Sequence, residues 1–129
     1  MLEQWGQLFT PDAQIDVTDL GVPKVMSLQE YAELMRGPGL KGGGLEVPFK
    51  AWQHIEGHGT VTITGDTAKS VALHLHSHIT KDGKANLHDA GYWYDEWVRT
   101  PEGWRIKNRR HQFLYTNTYP TVENPPFLK

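Results

Sequence analysis

The chain is expected to adopt an α+β fold. Helical spacing is confined to its first third, and everything from Phe49 onward reads as long strands joined by short turns. At 129 residues it is large enough for one domain with a sizeable core, taken as residues 1–129.

Leu2, Trp5, Leu8 and Phe9 carry helical spacing up to Thr10-Pro11-Asp12, a turn signal. Gln14 to Leu20 alternates, with Ile15 and Val17 on one side and Asp16 and Thr18 on the other, and reads as a strand. Ser27-Leu28-Gln29-Glu30 is a capping box. Leu28, Tyr31, Ala32 and Met35 then form an apolar stripe that Gly37-Pro38 ends. The glycine-rich segment Gly37 to Gly44 is expected to be a mobile loop, of the kind that serves as a lid. Strands are expected at 49–55, 60–64, 70–80, 86–100 and 104–115. Turns fall at Thr64-Gly65-Asp66, Lys81-Asp82-Gly83-Lys84 and Thr100-Pro101-Glu102-Gly103, so the strands pair as antiparallel hairpins. The tail from Thr116 holds Pro120, Pro125 and Pro126 and is expected to run extended along the surface.

Composition excludes several functions. A net charge of −2 argues against nucleic-acid binding, and the basic residues Arg105, Lys107, Arg109 and Arg110 read as a solvated strand face. The chain has no cysteine, hence no disulfide, thiolate nucleophile or zinc-thiolate site, which fits a reducing compartment. No apolar run approaches about 20 residues and no signal peptide opens the chain, so a cytoplasmic protein with no membrane partner is expected.

The strongest chemical signal lies in Leu73-His74-Leu75-His76-Ser77-His78-Ile79. Alternate side chains of a strand share a face, so the three imidazoles line up about 7 Å apart. Such a row moves protons near neutral pH or binds a metal. The metal reading asks for His74 and His76, or His76 and His78, plus a third ligand such as His88 or Asp89. Periodicity alone puts the more apolar face (Val71, Leu73, Leu75 and Ile79) in the core and the histidines in solvent or a subunit contact.

Several short words recur in order: Leu8-Phe9-Thr10-Pro11-Asp12-Ala13, Gln53-His54-Ile55 with Gly57, Gly65-Asp66-Thr67-Ala68, Gly91-Tyr92-Trp93-Tyr94-Asp95, and Arg99 followed by Gly103-Trp104-Arg105-Ile106. The series resembles the nuclear-transport-factor-2-like superfamily, specifically its SnoaL-like branch of polyketide cyclases, scytalone-type dehydratases and a dehydrochlorinase. The resemblance implies a cone-shaped, curved antiparallel or mixed sheet wrapped around N-terminal helices. It also implies proton-transfer chemistry with no metal and no organic cofactor. Gln53-His54-Ile55-Glu56-Gly57 is similar to the dehydratase segment bearing one catalytic histidine, and counting on reaches His78, so His54 and His78 are the implied pair. The same resemblance turns Gly91, Trp93 and Asp95 toward the pocket.

The chain departs from the pattern at its start, which falls near the end of the family's first helix, so that helix is expected to be shortened. The helix's orienting Asp has no counterpart, and Val17 stands where the dehydratase has a tyrosine. Asp19, Asp95 and Asp16 are the candidate substitutes, in that order. Trp93, His76, Trp52, Asn108 and His111 are expected to line the pocket. Asp95 is costly to bury alone, so the competing expectation is an ion pair with Arg99, Arg109 or Arg110.

Dehydration, cyclisation or isomerisation of a small cyclic or aromatic substrate by acid–base catalysis is therefore the expected activity. The alternatives are a non-catalytic binding or assembly domain, and a metalloenzyme using His74, His76 and His78. A homodimer is expected, because family sheets pair through their outer faces.

Overall fold

The computed structural model describes residues 2–36, 45 and 48–122; side chains of residues 2, 3 and 36 fall outside that description. The expected Gly37–Gly44 loop and the tail prolines Pro125 and Pro126 lie outside the described residues. The elements are α1 (Leu2–Gly6), β1 (Phe9–Asp16), a single 3₁₀ turn (Thr18–Leu20), β2 (Met26–Ser27), α2 (Leu28–Arg36), β3 (Phe49–Thr64), β4 (Thr67–Thr80), β5 (Ala85–Thr100) and β6 (Gly103–Pro120). One mixed, unclosed sheet runs β2-β1-β6-β5-β4-β3. Among the described residues its only parallel pair is β1 with β6.

The capping box forms as its residues dictate. Glu30 N donates to Ser27 Oγ at 3.2 Å, and Ser27 N donates to Glu30 Oε2 at 2.8 Å. Lys24 and Ser27 together hold the Glu30 carboxyl at about 2. Gly65 closes the tight β3–β4 turn with φ of 60°, a conformation open to glycine at little cost.

Three expectations need correction. Thr10-Pro11-Asp12 is not a turn but part of β1. The β1–β6 ladder shifts register between Phe9 and Gln14, so Pro11 sits where the regular ladder is broken. The strand expected to run on to Leu20 ends at Asp16, where Asp16 Oδ1 accepts from the Thr18 N–H and hydroxyl and starts the 3₁₀ turn. The two strands expected at 49–55 and 60–64 are one strand, β3. The polar segment Glu56-Gly57-His58 is absorbed by a bulge: Glu56 faces His74 and Gly59 faces Ala72, three steps against two.

The core sits on one face of the sheet. Phe9, Ala13, Ile15, Val17, Val22, Met26 and Ile106 are buried together, with Trp5, Leu28, Tyr31, Leu34, Trp93 and Trp97 packed against them. Helix α2 thus covers the β1–β6 end of that inner face. At the opposite end β3 is exposed along almost its whole length. Between the two, Asp95 is 5% exposed and accepts paired bonds from Arg109 Nε and Nη2, each 2.7 Å. The guanidinium lies over the Trp93 and Phe9 rings at 4.9 and 5.5 Å.

Asp95→Ala leaves that guanidinium without its counter-charge and is expected to cost about 3–5 kcal/mol in denaturant unfolding. Glu96→Ala, one residue along on the exposed outer face, is expected to cost less than about 1 kcal/mol. Equal losses at the two positions would show that the Asp95 pair is not a keystone.

Candidate active site

Register decides which side chains meet. Strand pairing sets Trp52 opposite His78, His54 opposite His76 and Glu56 opposite His74. On the other side of β4, His76 faces Asp89, His74 faces Gly91 and Ala72 faces Trp93. Trp93 in turn faces His111 on β6. Directly paired residues share a face, so five histidines from three strands converge on the inner face beside the core.

Burial is the reverse of what the apolar periodicity of β4 suggests. His74 is 0% and His78 7% exposed, whereas Leu73 and Leu75 are 40% and 41% exposed. The helix and core lie on the histidine side, and tertiary packing overrides the pattern.

Two hydrogen-bonded groups divide the site. In the first, the Nε2 atoms of His54 and His78 lie 3.0 Å apart, so one carries the proton the other accepts. His76 stacks between His54 and His74, at 3.8 and 4.1 Å between ring centroids. Its Nδ1 lies 3.1 Å from Asp89 Oδ1. Asp89 also stands 3.7 Å from Nδ1 of both His74 and His78. In the second group, Asp19 Oδ1 and Oδ2 lie 3.0 and 3.1 Å from His111 Nδ1. The Phe113 N–H donates to Asp19 Oδ2 at 2.7 Å and fixes the carboxylate. A carboxylate only accepts, so His111 Nδ1 donates to Asp19, and its Nε2 lies 2.7 Å from His74 Nε2, one of the two carrying the proton between them.

This packing requires Gly91. A Cβ there would stand 2.7 Å from His74 Nε2 and 2.3 Å from the Gln112 carbonyl oxygen. The expectation that Gly91 faces the site is met in the form of space, not of a contact to a ligand.

Burial favours the neutral form of His54, His74, His76 and His78. Desolvation, joined by neighbouring histidines, lowers His76 to about 3 and His74 to about 4. His54 and His78 are also lowered, by desolvation first, with Asp89 opposing. Neutral rings offer lone pairs at neutral pH, as bases and as ligands.

The other expected residues fall as follows. Trp93 packs edge-on against His111 at 4.7 Å, and Trp52 is half-exposed at the rim opposite His78. Asp19 is joined to His111, not to His54 or His78. Asp95 is engaged by Arg109. Asp16 caps Thr18 and does not reach the histidines. Asn108 is separated from them altogether: its Nδ2 donates to Glu96 Oε2 at 2.7 Å on the outer face, where both line a groove of about 510 Å³. His88 also faces outward, against Tyr119.

Two site residues escaped the sequence. Phe49 stacks on His78 at 4.7 Å, and the bulge between Phe49 and Ala51 hides it from an alternation count. Glu56 shares the face with its carboxyl raised by burial, and its two-residue spacing from His54 was the available signal.

A family model described as a SnoaL-like domain matches residues 1–110. The chain belongs to that family. It is 31% identical over 109 residues to the uncharacterized protein Rv2910c of Mycobacterium tuberculosis, covering 80% of this chain. The chain spans 65% of that curated relative's length. Among solved structures, hexachlorocyclohexane dehydrochlorinase LinA-type3 from Novosphingobium barchaimii LL02 aligns with a TM-score of 0.73 at 10% identity, over 98% of this chain and 82% of that one. A Novosphingobium aromaticivorans protein described provisionally as a scytalone dehydratase aligns with a TM-score of 0.73 at 16% identity, over 99% of this chain and 80% of that one. At these identities the likeness to both structures is one of fold. No described helix is long and apolar enough to cross a membrane.

The lowered histidines set an acid limit on the fold. The unfolded chain binds protons at about 6.5 while folded His74 and His76 resist until about 4 and 3. Their contribution is therefore complete above about 6.5 and is lost as pH falls below it, by about 1.4 kcal/mol per unit for each. Unfolding free energy of metal-free protein is expected to fall from pH 7.5 to 5, with a shallower slope in His76→Gln. A slope identical in the variant would mean that His76 is not held neutral.

Proposed function

We propose that this SnoaL-like chain catalyses proton transfer on a small cyclic or aromatic molecule, with His54 and His78 as the working pair. The observation that carries the reading is their 3.0 Å Nε2 contact on the inner face, with His54 exposed and His78 buried. Neutral His54 donates its Nε2 proton to His78 Nε2, and its Nδ1 lone pair has no partner among the described residues. Substrate C–H protonates that Nδ1. The Nε2 proton moves to His78, whose cation faces Asp89. The sequence then runs back to protonate what departs.

Trp52, opposite His78, and Phe49, stacked on His78, offer flat walls beside the pair, which suits a ring substrate. The names of the two structural neighbours, a dehydrochlorinase and a provisional dehydratase, both denote removal of HX from a carbon skeleton. That favours elimination over ring closure, the polyketide-cyclase type of reaction, and over isomerisation. The chemistry needs no metal or organic cofactor. The exposed outer-face residues Ile55, Leu73, Leu75 and Tyr115 support association as a homodimer.

The test is C–H exchange in D₂O read by NMR over a panel of hydroxylated and halogenated ring compounds, hexachlorocyclohexane included. Exchange or elimination is expected from the parent chain and a loss of at least about 100-fold in His54→Ala and in His78→Ala, with folding intact. Undiminished activity in either variant removes that residue from the mechanism. Ligand binding without exchange across the panel would favour a non-catalytic binding domain.

A further inference from the structure

We propose that His54, His76 and His78 form a binding site for a zinc-like divalent cation. Cross-strand pairing of His54 with His76, and the two-residue step to His78, bring one ring nitrogen of each to within 4.8 Å of the others. Strands hold these positions rigidly, and ligands on paired strands lose little freedom on binding. In a tetrahedral site with metal–nitrogen bonds of about 2.0–2.1 Å, ligand nitrogens stand about 3.3 Å apart. The 3.0 Å between Nε2 of His54 and of His78 is within a small side-chain adjustment of that spacing.

His76 supplies an independent indication. Its Nδ1 is turned to Asp89 at 3.1 Å, which leaves Nε2 to the cluster. That Nε2 is buried and without a hydrogen-bond partner among the described residues. A buried polar atom left unpaired is costly, and a cation is one group that satisfies it. Asp89 behind His76 reproduces the carboxylate–histidine–metal arrangement, in which the acid fixes the tautomer and raises ligand basicity. Binding asks for one internal change: the proton that His54 carries on Nε2 must pass to its own Nδ1, while His78, with Nδ1 3.7 Å from Asp89 Oδ2, already offers its Nε2 lone pair.

The neighbouring set of His74, His76 and Asp89 is also close enough. It is the poorer site, because His74 is fully buried and its Nε2 is committed to His111. His54 is exposed, so the first set opens to solvent and leaves coordination positions for water or a ligand. The ion takes the His78 Nε2 lone pair that receives the relayed proton and leaves the His54 proton on Nδ1, where the substrate proton would be accepted, so metal occupancy and that chemistry exclude each other.

The test is a titration of the untagged 129-residue chain, stripped with a chelator, with Co²⁺. Visible d–d absorption saturating at one ion per chain is expected, with displacement by Zn²⁺. His76→Ala is expected to weaken Co²⁺ by at least about 100-fold and Asp89→Asn by about 10–100-fold, while His58→Ala leaves it unchanged. Absence of saturable binding below about 100 μM in the parent chain would overturn the site whether or not any variant folds. So would unchanged affinity in His76→Ala, or a loss confined to His58→Ala. Turnover plays no part in the readout, so this result and the exchange assay fail independently.

Discussion

Strand register is the constraint on which the rest of this structure depends. His54, His76, Asp89, Trp93 and His111 come from four strands and meet only because β3, β4, β5 and β6 pair in one alignment. A slip of one residue on β4 would send His74, His76 and His78 to the outer face and bring Leu73 and Leu75 inward. The apolar pattern of β4 does not forbid that slip. What opposes it is the rest of the inner face: the His74–His111 contact, the space at Gly91, the carboxylate of Asp89 and the Trp97 Nε1 bond to Ser70 Oγ at 2.8 Å.

Three carboxylates on or beside that face have three different fates. Asp95 neutralises Arg109 within the packed end of the sheet and is structural by geometry. Asp19, held by the Phe113 N–H, accepts from His111 Nδ1 and so orients the ring whose Nε2 meets His74 Nε2. Asp89 stands before Nδ1 of three stacked or neighbouring imidazoles. The histidines are kept neutral by burial while negative charge waits nearby, a state poised to accept a proton or a cation.

In this SnoaL-like chain the polar groups divide between two ends of one face. The carboxylate–histidine contact is made by Asp19 with His111 at the covered end, while the accessible His54–His78 pair lies at the open end beside Asp89. Both the proton-transfer reading and the cation site draw on that open end, where one histidine meets solvent and two are shielded.

Sequence alone determined the local features. The capping box before α2, the hairpin turns and the alternation that gathers His74, His76 and His78 on one face all follow from neighbours along the chain. The nomination of His54 and His78 came from resemblance and not from periodicity. Tertiary structure decided which face is inside, because the helix packs on the histidine side and overrides the apolar stripe of Leu73 and Leu75. It also decided that Pro11 sits in a strand, that Glu56-Gly57-His58 is a bulge, that Asp19 finds His111 across 92 positions of sequence, and that Asn108 turns away. Each of these depends on a partner strand or a packing surface. Such partners lie far along the chain, and no window of neighbouring residues contains them.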